Sequence, residues 1–253
     1  MKLPILPSAV MLLSVPLFAH EGHDHTEGVG AIITTATVTG SEGLEYVTAP
    51  GWGVPSNGKN IGSLHGDLAL DKAGNVYAAT NGDPGIVVFD RFGKYTKSLK
   101  KGLAGMHSLT TVTEGAQQFI WGSQVQQKRA VKFDLEGNVL AILPNEKTGE
   151  LEGGMGGLTE LLVAPDGHIF FFMGYGSKKI HKLKPDGTLV KTYGGKGTGK
   201  DQFTSCHGAA IDLRYDEPRI LVCDRDGRRM MHLTMDLTWI GIYGKTPMRR
   251  PAD

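Results

Sequence analysis

Four segments of the chain repeat one pattern of apolar and polar residues, and this repetition limits the fold more than any other feature. The segments begin at residues 65, 107, 159 and 207. Each contains an apolar stretch, a polar turn, a second apolar stretch, a loop and an alternating third stretch that leads through a turn into a fourth. The same point in the third stretch is marked by Phe89, Phe133, Leu183 and Leu233, at separations of 44, 50 and 50 residues.

Four short strands in every 40–50 residues are typical of a β-propeller, in which four-stranded sheets pack face to face around an axis. The chain has 36 glycines in 253 residues, about twice the usual share, and this favours the tight turns of an all-β protein. The run IFFFM at residues 169–173 is expected to pack between two blades. We therefore predict a partial propeller of about four blades over residues 45–253. Because ring closure removes sheet edges, the chain is expected to be a fragment or an open ring completed by something else.

The N-terminus predicts export. Residues 1–19 have a lysine at position 2, continue with an apolar stretch and end at Ala19, which is the pattern of a signal peptide rather than a membrane span. Residues 20–44 form a His-rich tail and linker whose HEGHDH stretch could bind metal loosely. The formal net charge is +1 without a long basic run, so nucleic acid is excluded as a partner. We expect a periplasmic or secreted protein, and the sequence does not predict its oligomeric state.

Cys206 and Cys223 lie 17 residues apart on neighbouring predicted strands. An oxidising compartment would allow a disulfide, but the geometry of adjacent strands is demanding. A disulfide and two free thiols therefore remain alternative predictions.

Four short motifs resemble those of a known family. Histidines open two apolar stretches as His107-Ser108-Leu109 and His207-Gly208-Ala209, a tyrosine lies in Gly174-Tyr175-Gly176, and an arginine follows in Cys223-Asp224-Arg225. With these motifs, residues 45–253 resemble the NHL-type six-bladed propellers. Among these they are most similar to bacterial relatives of the catalytic domain of peptidyl-α-hydroxyglycine α-amidating lyase.

The resemblance implies a set of site residues. That family holds zinc on three histidines from alternate blades, and His107 and His207 match two of them, whereas the third would come from a sixth blade that this sequence does not contain. His65 is either a substitute ligand or a residue of the channel mouth. Tyr175 and Arg225 match catalytic residues, while a second catalytic arginine has no counterpart in residues 79–83. The carbonyl of Leu109 matches a ligand of structural calcium.

These residue types can serve together in one reaction. Neutral imidazoles bind zinc, a tyrosine can move a proton, and an arginine can bind a carboxylate with two hydrogen bonds. The predicted function is a zinc-dependent, amidating-lyase-like cleavage of a peptide or small molecule in the central channel, giving a peptide amide and glyoxylate. The alternative is a non-catalytic propeller that binds a peptide, glycan or protein. In that case the histidines bond to neighbouring carbonyls, Tyr175 lines the channel and Arg225 is a surface cation.

Overall fold

The computed structural model describes residues 34–41, 43–55, 61, 64, 66–99, 102–243 and 248–252, and the regular structure in these ranges is β. The predicted signal peptide, most of the His-rich tail and His65 lie outside them. Within the described ranges, no helix has the length and apolar character needed to cross a bilayer. The strands are β1 Val38–Ser41, β2 Leu44–Val47, β3 Leu68–Leu70, β4 Val76–Ala79, β5 Ile86–Phe89, β6 Tyr95–Leu99, β7 Met106–Glu114, β8 Gln117–Gln124, β9 Arg129–Asp134, β10 Val139–Leu143, β11 Glu160–Val163, β12 Ile169–Phe172, β13 Lys179–Leu183, β14 Leu189–Gly194, β15 Cys206–Asp212, β16 Arg219–Asp224, β17 Arg229–Thr234 and β18 Trp239–Tyr243.

These strands form five antiparallel sheets, which confirms the all-β prediction. Strands β1 and β2 make a hairpin. The others make four sheets in which each strand pairs with its neighbour in the chain: sheet 1 (β3–β6), sheet 2 (β7–β10), sheet 3 (β11–β14) and sheet 4 (β15–β18). Each four-stranded sheet corresponds to one of the four sequence repeats.

The first strands of successive sheets contact one another: β3 with β7, β7 with β11, and β11 with β15. The first strands are therefore the innermost ones, as a propeller requires. Residues at the beginning of β7, β11 and β15 are brought together at the same end of this inner row.

A β-bulge recurs at the four repeat-marking residues. Each marker on the third strand is buried and lies where the fourth strand contains one extra residue: Thr96 in sheet 1, Leu140 in sheet 2, Val190 in sheet 3 and Ile240 in sheet 4. Bulges bend a strand and increase its twist. The 44–50-residue period in the sequence therefore reports a repeated bend as well as a repeated core position.

The core consists of layers between neighbouring sheets, and β12 shows why its sequence is continuously apolar. Ile169 and Phe171 pack with sheet 2, whereas Phe170 and Phe172 pack with sheet 4. All four side chains are buried, so both faces of the strand lie in core. Each such side chain contributes about 1.5–3 kcal/mol by burial. The predicted packing of IFFFM between two sheets agrees with these contacts.

The face of sheet 1 away from sheet 2 is covered by the segment that precedes it. Trp52 packs on Phe89 with ring centroids 5.6 Å apart, and Ile61 and Leu64 join the same apolar cluster. A side chain at Gly93 would place its Cβ 2.3 Å from Cγ of Trp52. The turn between β5 and β6 therefore requires glycine where the indole crosses it.

Candidate functional site

His107 and His207 are the extra residues of two matching β-bulges. In sheet 2, Met106 pairs with Gln124 and Ser108 pairs with Ser123, so His107 is the extra residue between two paired positions of β7. In sheet 4, the register likewise shifts between Cys206 and Gly208. A bulge re-aims the side chain of its extra residue. These bulges direct the imidazoles of two non-adjacent sheets toward one point.

Tyr175 of sheet 3 occupies that point. Its hydroxyl oxygen lies 3.2 Å from Nε2 of His107 and 2.8 Å from Nε2 of His207. The three ring centroids form an almost equilateral triangle with sides of 5.2, 5.1 and 5.1 Å. The structure thus brings together three residues that sequence analysis selected separately, and we call them the His–Tyr–His cluster.

Backbone carbonyls fix the tautomers of both imidazoles. Nδ1 of His107 lies 2.7 Å from the carbonyl oxygen of Thr159, and Nδ1 of His207 lies 3.2 Å from that of Ala252. Because a carbonyl can only accept, each Nδ1 is the protonated nitrogen. In each neutral ring, Nε2 is then an acceptor that faces Tyr175.

The number of protons limits what the cluster can do. The Tyr175 hydroxyl has one proton and can donate it to only one Nε2 at a time. Its contact with the other ring is a hydrogen bond only when that ring is protonated and donates in return. The two Nε2 lone pairs are therefore arranged to share one phenol proton or to bind a cation.

The two imidazoles of the cluster fit zinc. A zinc-bound histidine usually donates its other ring N–H to a carbonyl or carboxylate, and both imidazoles do so here. In the part of the chain that the structure describes, no group of three or more His, Cys, Asp or Glu side chains is arranged to hold a metal ion. The described residues thus supply two imidazole ligands and a neighbouring phenol. Leu109 lies two residues beyond His107 on β7, and its side chain packs in the core between sheets 1 and 2.

Arg225 lies beside the cluster. Its guanidinium carbon is 5.4 Å from the centroid of the Tyr175 ring, and Nε is 3.5 Å from Oδ1 of Asp226. The side chain is 16% exposed, so it is not a freely solvated surface cation. It places a positive charge next to the phenol ring. In the turn between β4 and β5, where the resemblance would put a second arginine, the hydroxyl of Thr80 instead donates to the carbonyl of Gly82.

Both cysteines are buried, and they do not form a disulfide with each other. Burial raises the pKa of the Cys206 thiol to about 12, and Sγ of Cys206 lies 3.8 Å from the carbonyl oxygen of Lys179. A thiol in this state is a poor metal ligand, because metals bind the thiolate. Of the two predicted alternatives for the cysteines, the structure has two thiols and no disulfide.

Comparison with known proteins gives a fold but no family. No family model and no curated protein matches the chain. Virginiamycin B lyase from Staphylococcus aureus, as the selenomethionine protein, has a TM-score of 0.52 and 16% identity, covering 75% of this chain and 58% of the lyase. A catalytically inactive histidine-to-alanine variant of that lyase with quinupristin has a TM-score of 0.51 and 15% identity, covering 73% of this chain and 56% of the variant. A streptogramin B lyase has a TM-score of 0.50 and 20% identity, covering 73% of this chain and 56% of that lyase.

The chain has a β-propeller-type fold. It spans less than two thirds of the length of each of these lyases. At 15–20% identity the likeness concerns the fold alone.

The sequence motifs did not predict the residues that hold the Tyr175 turn in place. The carbonyl oxygen of Gly174 accepts hydrogen bonds from Nζ of Lys178 at 2.5 Å and from the hydroxyl of Ser205 at 3.0 Å. Burial lowers the pKa of the Lys178 ammonium. Thr159 also contacts this turn, and it opens the third repeat where histidines open the second and fourth. That alignment was the signal by which it could have been found.

Proposed function

We propose that this chain carries part of a lyase site that cleaves peptidyl-α-hydroxyglycine to a peptide amide and glyoxylate. The observation that supports the proposal is the contact of the Tyr175 hydroxyl with both histidine Nε2 atoms. Three sheets contribute to that contact, so residues far apart in the chain meet where a substrate in the channel would bind. The solved neighbours with this fold include lyases, which agrees with the general class of reaction.

The reaction moves one proton from oxygen to nitrogen. The substrate hydroxyl loses its proton as a carbonyl forms, the electron pair of the C–N bond goes to the amide nitrogen, and that nitrogen gains a proton. Acting as the phenolate, Tyr175 takes the first proton as a general base, and as the resulting phenol it delivers a proton to the nitrogen as a general acid. The two imidazoles hold its hydroxyl in one place and set its hydrogen bonds.

The proposal also includes a role for Arg225, two metal ions and export. Arg225 lies beside the phenol ring and can bind the substrate carboxylate through its guanidinium. Zinc is the proposed cofactor: His107 and His207 would hold it through the Nε2 atoms that otherwise contact the Tyr175 hydroxyl. It would supply Lewis-acid polarisation of a substrate oxygen. Export to the periplasm or medium, and structural calcium at the carbonyl of Leu109, belong to the same proposal.

A specific observation favours the alternative of a binding module. The described residues provide neither a third metal ligand of the usual types nor a second arginine at the matching turn. A propeller with this cluster could bind a carboxylate-bearing ligand in the channel without cleaving it. The two functions differ in turnover and not in binding.

The test uses α-hydroxyhippurate, a small α-hydroxyglycine amide, and follows benzamide and glyoxylate. The protein is assayed as isolated and after addition of zinc, and its zinc content is measured in the same preparations. We expect equimolar release of the two products. Tyr175→Phe should lower kcat by about 10²- to 10⁴-fold because it removes the proton-transferring group.

The matched control is Tyr193→Phe, which removes a tyrosine hydroxyl bonded to Asp201 at 2.9 Å, outside the cluster. This variant should keep native kcat. If the zinc-supplemented protein binds α-hydroxyhippurate in calorimetry but releases no glyoxylate, the lyase proposal fails and the binding module stands. If it neither binds nor cleaves, both fail for this ligand class.

A further inference from the structure

Thr159 lies at the geometric centre of the contacts that hold the His–Tyr–His cluster. It immediately precedes β11, the innermost strand of sheet 3, and is 1% exposed. Its position in the third repeat corresponds to the positions of His107 and His207 in the second and fourth. The sheet between the two histidine-bearing sheets thus has a threonine where its neighbours have imidazoles.

The main chain of Thr159 orients the first member of the cluster. Its carbonyl oxygen accepts from Nδ1 of His107 at 2.7 Å, and its own N–H donates to the carbonyl of Phe172 at 2.9 Å. The second bond belongs to the pairing of β11 with β12. The His107 ring is therefore attached to the edge of sheet 3 and not only to its own strand.

The hydroxyl of Thr159 contacts the segments that bear the other two members. It lies 3.2 Å from the carbonyl oxygen of Cys206, the residue before His207, and 3.1 Å from that of Phe172. It also accepts from the N–H of Gly174, the residue before Tyr175, at 3.3 Å. One hydroxyl has one proton and two lone pairs, so it can serve a carbonyl and this N–H together.

Close packing makes this arrangement rigid. A Cβ at Gly174 would lie 2.5 Å from Oγ1 of Thr159 and 2.6 Å from the carbonyl oxygen of Cys206. The Tyr175 turn, the threonine and the strand of His207 are thus already in contact without a side chain between them. We therefore expect a displacement of Thr159 to change the positions of all three members.

We propose that Thr159 is a positioning residue of the cluster, which holds the Tyr175 hydroxyl within hydrogen-bond distance of both Nε2 atoms. Its catalytic consequence rests on the proposed lyase function, but its geometric consequence does not. A merely structural threonine would stabilise the interface between sheets without affecting the imidazole hydrogen bonds. The two roles therefore predict different spectra.

The first measurement needs no variant. In the full chain labelled with ¹⁵N-histidine, the side-chain signals of His107 and His207 are assigned by His107→Gln and His207→Gln. The carbonyl of Thr159 requires His107 in its neutral form to have the proton on Nδ1. A spectrum of neutral His107 with the proton on Nε2 overturns the proposal.

The second measurement compares Thr159→Val, Thr159→Ser and a matched control. Thr110→Val is that control, because its hydroxyl donates to the carbonyl of Leu161 at 2.7 Å and so bridges sheets 2 and 3 away from the cluster. Thr159→Val should shift the ring signals of both histidines, whereas Thr159→Ser should restore them and Thr110→Val should leave them native. Native signals in Thr159→Val, or equal shifts in Thr110→Val, overturn the proposal.

Kinetics with α-hydroxyhippurate provides a separate readout. Thr159→Val should lower kcat by about tenfold or more with little change in KM, because a small displacement of a positioned group affects the reacting geometry more than binding. Thr159→Ser should recover most of the rate. If the native chain has no turnover, the spectra still decide the positioning role and only the lyase function fails. If Thr159→Val does not fold, Thr159→Ser is decisive, since shifted ring signals in that folded variant contradict a role for the hydroxyl.

Discussion

Single residues in this chain show how burial determines which charges the fold tolerates. His181 on β13 is fully buried, with Nδ1 2.9 Å from the hydroxyl of Thr192. Burial lowers its pKa to about 4 from the ordinary 6.5, and the nearby Lys179 ammonium lowers it to a lesser extent. The fold therefore holds this imidazole neutral.

The low pKa of His181 makes the stability of the fold depend on pH. Because the unfolded chain binds the proton of His181 at a higher pH than the native chain, stability falls as pH drops from about 6.5 toward about 4. The contribution lost between about pH 7.5 and about pH 5 is about 2 kcal/mol. Urea unfolding at both pH values should show His181→Gln to be less pH-dependent than the native chain. His168→Gln is the control, because the side chain of His168 is only partly buried. An unchanged slope in His181→Gln would contradict the burial argument.

At the scale of elements, the turn after β12 is built around glycine. Gly174 leaves no space for a Cβ beside Thr159 and Cys206, whereas a Cβ at Gly82, in the corresponding turn of sheet 1, meets nothing within 4 Å. Neither residue has a positive φ, so space alone distinguishes them. A comparison of alanine substitutions at Gly174 and Gly82 therefore measures the effect of crowding at the cluster.

Gly174→Ala should destabilise the fold by about 1–3 kcal/mol, since overpacking forces the backbone to shift, and it should displace the Tyr175 hydroxyl. Gly82→Ala should stay within about 0.5 kcal/mol of the native chain. Thermal unfolding measures the first effect, and the ¹⁵N signals of the two cluster histidines report the second. A Gly174→Ala protein with native stability and native signals would show that the turn has room to adjust.

The elements also show what sequence could and could not predict. Four strands per repeat followed from the apolar markers, because Phe133 and its three counterparts occupy one buried position in every sheet. The bulges at His107 and His207 could not be predicted, since a bulge is defined by the register of two strands that the sequence does not state. The contacts of the Thr159 hydroxyl could not be predicted for a similar reason, because its partners are backbone atoms of Phe172, Gly174 and Cys206. The sequence marks this position only through its alignment with the two histidines.

At the scale of the molecule, the cluster depends on two of the three sheet interfaces. His107, Tyr175 and His207 come from sheets 2, 3 and 4, so the stacking of sheet 3 against both neighbours determines their distances. The interface between sheets 1 and 2 contributes no member. In stacked repeats stability is approximately the sum of such nearest-neighbour interfaces, so damage at one interface should remain local.

Two phenylalanines test this locality. Phe170 is buried between sheets 3 and 4, and Phe133 is buried between sheets 1 and 2. Replacement of either by alanine should cost about 3–5 kcal/mol, through lost burial and the cavity that remains. The two variants therefore have similar global stability and differ in where the damage lies.

Phe170→Ala should increase amide hydrogen exchange in sheets 3 and 4 and change the His207 ring signal, because the strand of His207 is no longer held firmly against the Tyr175 turn. Phe133→Ala should increase exchange in sheets 1 and 2 and leave the contact between Tyr175 and His207 native. Exchange measured by mass spectrometry at equal stability, adjusted with urea, separates the two. If Phe133→Ala changed the His207 signal as much as Phe170→Ala did, the sheets would unfold as one cooperative unit. The cluster would then depend on the whole stack, and its two adjacent interfaces alone would not determine its geometry.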